Sequence, residues 1–138
     1  MLSRPTRARL YRHEWSKHGV CVSTLDPKCY DAYQPHEDLV DFFKTTTSLH
    51  ARYDLYAALA DAGIVPTTQR TYTLSAVKAA LRAAFGVNVV LRCSSGYVQE
   101  AWIYHHTQGR ATSADSFVAI DGLSKDDNCP SSIRYVPK

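Results

Sequence analysis

A chain of 138 residues with 45% hydrophobic side chains suits one domain with its own core, and no apolar run approaches the length of a membrane span. A soluble globular protein is expected, without internal repeats or low-complexity linkers. The formal net charge of +3 is compatible with a polyanionic partner but identifies none.

Met1 to Arg12 holds Arg4, Arg7, Arg9 and Arg12 and lacks the apolar stretch of a signal peptide. It reads as an atypical basic start set apart from residues 13–138, of the kind a truncated or misassigned beginning leaves. The other reading is a basic arm that touches phosphates.

Next comes His13-Glu14-Trp15-Ser16-Lys17-His18-Gly19-Val20-Cys21, the densest concentration of titratable groups in the chain. On a helix, with His13 at zero, Lys17 lies near 40°, Glu14 near 100° and His18 near 140°, all estimates from about 100° per residue. One face then carries all four. Trp15 falls just beyond that arc and can anchor the turn in a core, while Gly19 supplies the backbone freedom to release the chain towards Cys21. A zinc site is the nearest rival, since His-Glu-x-x-His on a helix binds metal through histidines four apart. Here the histidines are five apart, and a splay of roughly 140° spoils chelation from one side. The four-apart pairs are His13 with Lys17 and Glu14 with His18, the second an imidazole with an orienting carboxylate. A solvated helix face is the bland alternative. The chemistry that suits the set is phosphoryl transfer: a base for a 2′-hydroxyl, cationic stabilisation of the phosphorane, and an acid for the leaving 5′-oxygen.

Further along, Leu39, Val40, Phe42, Phe43, Leu49, Tyr53, Leu55, Tyr56 and Leu59 recur at helical intervals and predict core-building helix, with a break at Thr45 to Ser48 where hydroxyl and β-branched residues cluster. Thr73 or Ser75 caps a second helix whose stripe is Leu74, Val77, Leu81 and Phe85, and Gly86 ends it. Asn88 to Cys93 and Gln99 to Thr107 read as strands joined by a Ser94-Ser95-Gly96 turn, and Phe117 to Ile120 adds another before Asp121-Gly122. Helices before strands indicate α+β. His105 and His106 point to opposite strand faces, which argues against joint metal ligation. His36 and His50 stand alone, and the nine tyrosines read as core and surface residues. Four cysteines without a Cys-x-x-Cys pair suggest disulfides, with three pairings open on paper.

The segment from His13 to Cys21 resembles the second active-site segment of the ribonuclease T2 family. Cys29 follows Cys21 after a Leu25-Asp26-Pro27 turn as in fungal members, and the stretch from Tyr30 to Gly63-Ile64-Val65-Pro66 has their helical character. The resemblance implies an α+β fold of helices packed on an antiparallel sheet, with residues 13–138 as the later part of that domain. It implies His18 as general base, Glu14 and Lys17 stabilising the pentacovalent intermediate, and His13 holding the phosphate. It also implies a Cys93–Cys129 disulfide, leaving Cys21 and Cys29 either unpaired or bonded to each other. Family members draw their general acid from an earlier Phe-x-x-His-Gly-Leu-Trp-Pro segment, and nothing resembling it precedes Tyr11.

The function so implied is an endoribonuclease that cleaves single-stranded RNA through a 2′,3′-cyclic phosphate to 3′-phosphate ends, with no metal or cofactor. Its partner is RNA, not a membrane, and its working unit is a monomer. The parent protein is expected to be secreted or extracellular, or vacuolar or lysosomal, although this chain shows no signal peptide. The alternative is a catalytically deficient T2-like fragment that binds RNA or a protein partner.

Overall fold

The computed structural model describes residues 7–137. The first half of the predicted basic start, residues 1–6, lies outside them. The described part opens with helix α1 (Arg7–Lys17), which runs unbroken from Arg7 into the motif. Three 3₁₀ turns follow, Gly19–Cys21, Ser23–Leu25 and Pro27–Cys29, then α2 (Glu37–Arg52) and α3 (Leu55–Asp61). The remainder is β1 (Tyr72–Thr73), α4 (Leu74–Phe85), β2 (Val90–Ser94), β3 (Tyr97–Trp102), β4 (Tyr104–Thr107), β5 (Phe117–Ile120) and β6 (Ser132–Ile133). No helix among the described residues is long and apolar enough to cross a membrane. The architecture is α+β, as expected, but its strands form three two-stranded sheets, β1–β6, β2–β3 and β4–β5, in place of one.

The chain divides into two compact units. One comprises the chain up to Arg52 together with Thr107–Val118. Within it α2 begins with Glu37 and Asp38 and ends with His50 and Arg52, charges that complement the helix dipole. The break expected at Thr45 to Ser48 does not occur. Thr46 and Thr47 donate their hydroxyls to the carbonyls of Phe42 and Phe43, at 2.7 and 2.8 Å, so the helix itself absorbs their hydrogen-bonding demand. Buried Thr45 donates instead to the carbonyl of Ala111 at 3.3 Å, and the Ala111 N–H donates to Thr24 Oγ1 at 3.0 Å. Arg52 anchors the same returning segment, donating to the Ala114 carbonyl at 2.8 Å and pairing with Asp115. Helices α1 and α2 meet through edge-to-face rings, Tyr11 with Phe43 at 5.2 Å and Trp15 with Phe42 at 5.6 Å between centroids. Val40, read as core from its spacing, is largely exposed.

The other unit comprises Tyr53–His106 and Ala119–Lys138. Its core holds Leu59, Ile64, Val77, Leu81, Val89, Leu91 and Ile133. Full burial of side chains such as Leu81 and Leu91 stabilises by about 1.5–3 kcal/mol each. Asp54 caps α3, accepting from the Ala57 N–H at 2.9 Å, while Tyr56 of that helix stays exposed. Thr73 caps α4, accepting from Ala76 N–H at 3.2 Å, and Gly86 closes it at φ 75°, where a side chain would be strained. β2 and β3 pair antiparallel from Val90↔Trp102 to Ser94↔Tyr97, with a bulge between Arg92 and Cys93. The turn residues Ser95 and Gly96 both have positive φ, which suits the right-handed twist of a tight hairpin. The strand predicted over Gln99 to Thr107 is divided at Ile103: its first part pairs with β2, its second with β5.

Candidate active site

The polar face of α1 ends where the helix ends. Lys17 is its last residue, and the N–H of His18 still donates to the Glu14 carbonyl at 2.9 Å. His18 itself, at φ −121° and ψ −47°, has left helical geometry. Its carbonyl accepts from Cys21 N–H at 3.1 Å, so the turn is bonded on both sides. The Nε2 of His18 stands 3.9 Å from a Glu14 carboxylate oxygen, and the side chains are 64% and 40% exposed. The rings of His13 and His18 come within 6.2 Å of each other, centroid to centroid, at 77°. Lys17 is exposed, one turn on from His13. The structure therefore brings His13, Glu14 and His18 to one place beside Lys17. The two histidine rings approach each other although His18 lies past the helix end.

Gly19 plays a different part from the one its sequence suggested. It is buried and lies outside the left-handed region, so backbone freedom is not what the position requires. What it requires is no side chain: a Cβ there would lie 2.2 Å from Cε3 and 2.7 Å from Cζ3 of Trp15. Beside this turn, Tyr11, Arg12, Trp15, Leu39, Phe43 and Thr47 line a groove of about 500 Å³.

The same unit holds an arrangement that spacing did not reveal. Tyr30 donates its hydroxyl to Asp41 at 3.1 Å, stacks edge-on with Tyr33, and carries Arg110 over its ring at 4.5 Å. Burial, and then the bond to Asp41, push the Tyr30 phenol up to about 12. No local pattern joins residues so distant in sequence.

The Ribonuclease T2 family model matches residues 1–128. The chain belongs to the Ribonuclease T2 family. Ribonuclease Trv of Hypocrea rufa is 39% identical over 128 residues, which are 93% of this chain and 54% of that protein. A Ribonuclease T2-like protein of Aspergillus fumigatus is 39% identical over 130 residues, 94% of this chain and 32% of its own length. The crystal structure of Actibind, a T2 ribonuclease, matches with a TM-score of 0.85 at 35% identity, covering 94% of this chain and 55% of that one. The chain thus spans between a third and about half the length of these relatives.

His105 is half-buried and shares a 3.0 Å hydrogen bond with the Tyr53 hydroxyl, whereas His106 is exposed, as strand alternation required. His36 and His50 are exposed. The disulfide is Cys93–Cys129, as the T2 resemblance implied, and Asn128 brackets it by accepting from Cys93 N–H at 2.7 Å and donating to the Cys93 carbonyl at 3.2 Å. Cys21 and Cys29 are exposed thiols, not bonded to each other; they point at the carbonyls of Lys17 and Ser23.

Proposed function

We propose that the chain carries part of the active site of a metal-independent endoribonuclease. His18 takes the proton of a 2′-hydroxyl as that oxygen attacks the adjacent phosphorus, and the 5′-oxygen leaves with a proton from a second acid. The product is a 2′,3′-cyclic phosphate, which water then opens to a 3′-phosphate end. Glu14 and Lys17 stabilise the pentacovalent intermediate, Glu14 through its place beside the imidazole and Lys17 through its fixed charge, and His13 holds the phosphate. The observation that supports this reading best is the grouping of His13, Glu14 and His18 at one helix end in a T2-family chain, with the two rings 6.2 Å apart. The substrate is single-stranded RNA, the working unit a monomer, and secretion accords with a chain that holds a disulfide.

A second reading, a T2-like chain that binds RNA or a protein without turning RNA over, follows from the need for an acid beyond these four residues. One assay separates the two. Incubated with single-stranded RNA in EDTA, the chain should generate cyclic-phosphate ends, and His18→Ala should slow this by about 10²–10⁴-fold. Absence of such ends, with His18→Ala indistinguishable from the parent, rejects the enzymatic reading. RNA binding that survives would then favour the second.

A further inference from the structure

We propose that Trp15 is a positioning residue for the His18 site: its indole, seated on the bare Cα of Gly19 and against Phe42, fixes the turn that presents the His18 imidazole beside Glu14 and His13. The functional consequence rests on the proposed RNA-cleavage reading; the geometry does not.

The imidazole of His18 is mostly in solvent, so packing on the ring itself does not hold it. Its position is inherited from the backbone, and that backbone has left the helix. Upstream it is fixed by the His18 N–H bond to Glu14, downstream by the bond from Cys21 N–H to the His18 carbonyl. Gly19 stands inside that second bond and is buried under the six-membered ring of Trp15, whose Cε3, Cζ3 and Cδ2 would lie 2.2, 2.7 and 3.0 Å from any Cβ at this position. Separations below about 3 Å are repulsive for carbon atoms that prefer roughly 3.5–4.0 Å, so a methyl group here forces either the ring or the turn to move. The ring is itself held on α2 through its edge-to-face contact with Phe42, 5.6 Å between centroids at 68°. Whatever part of the displacement the turn takes is carried to His18, the residue next to Gly19.

This arrangement predicts a compensation. Gly19→Ala should leave far-UV circular dichroism intact yet change the side-chain NMR shifts of His18. It should also weaken inorganic phosphate, followed by the response of the His13 and His18 resonances, by about tenfold or more. Trp15→Phe takes the indole's outer ring off Gly19 and should by itself change the His18 shifts and weaken phosphate binding by about threefold or more, because the turn loses what it packs on. The double variant Trp15→Phe/Gly19→Ala should return both the His18 shifts and phosphate binding most of the way. A Gly19→Ala protein with parental shifts and affinity overturns the proposal, and so does a double variant no better than Gly19→Ala. If the parent chain itself shows no response to phosphate, the proposed function fails instead. The clamp is then judged by the His18 shifts alone, which must still change in Gly19→Ala and return in the double variant.

Discussion

A phenol held away from water resists ionisation, and Tyr30 is this chain's clearest instance. It is half-buried, its hydroxyl donates to Asp41, and losing the proton would set an anion against a carboxylate. Burial and that bond raise its pKa to about 12, against the opposing pull of Arg110 over the ring. The sign follows from linkage. Because the folded state holds this proton more tightly than the unfolded chain does, Tyr30 contributes its full stabilisation below pH 10 and loses it as pH rises from 10 towards 12. Stability measured by urea unfolding should therefore fall over that window in the parent. In Tyr30→Phe it should start lower, having lost the hydrogen bond, and fall less steeply. Equal slopes in the two proteins would mean that other groups carry the alkaline loss.

Helix α4 shows what one element owes to a single side chain. Thr73 accepts the Ala76 N–H, one of the amides that helix geometry leaves without an internal partner. Thr73→Ala should cost about 1 kcal/mol in urea unfolding, and Thr73→Ser much less, since serine restores the acceptor. This helix was legible because every determinant is local: a cap, a stripe at Leu74, Val77, Leu81 and Phe85, and Gly86 at a left-handed closure. The break expected at Thr45 to Ser48 failed because propensity says that hydroxyls compete with helix bonds, whereas here they bond back to carbonyls one turn earlier and Thr45 has a distant partner in Ala111. The long strand from Gln99 failed for another reason. Its alternation continues through Ile103, but the partner changes there from β2 to β5, and alternation carries no record of the partner. β1 and β6 are two residues each, too short for any period to register. The candidate site was readable as a set because its four side chains lie within six consecutive positions. The approach of His13 to His18 was not, since spacing along the chain fixes no separation between two rings. Nor was the reason for Gly19, which lies in the indole of Trp15.

At the level of the whole molecule the cysteines divide into two kinds, and stability should follow that division. Cys93–Cys129 lies within one compact unit and joins positions 36 residues apart. Closing a loop of that size in the unfolded chain is worth roughly 4 kcal/mol on the chain-entropy account, and native bridges in small domains typically contribute about 2–5 kcal/mol. Total stabilities are commonly about 5–15 kcal/mol, so this bond is a large share for a chain of this length. Cys21 and Cys29, in the other unit, are exposed thiols whose only described polar contacts are sulfur to carbonyl, at 3.6 and 3.7 Å. Such surface groups usually matter by less than about 0.5 kcal/mol. The double variant Cys93→Ala/Cys129→Ala should therefore lower the urea midpoint by an amount equivalent to about 2–5 kcal/mol. Hydrogen exchange should place the loss among the amides of β2 and of the segment around Asn128, which the bridge and the Asn128 bonds hold together. Cys21→Ser/Cys29→Ser should leave the midpoint where it is. If the two double variants lost equal stability, the bridge would not be the element that closes its unit, and the thiols near the motif would have to be counted as structural.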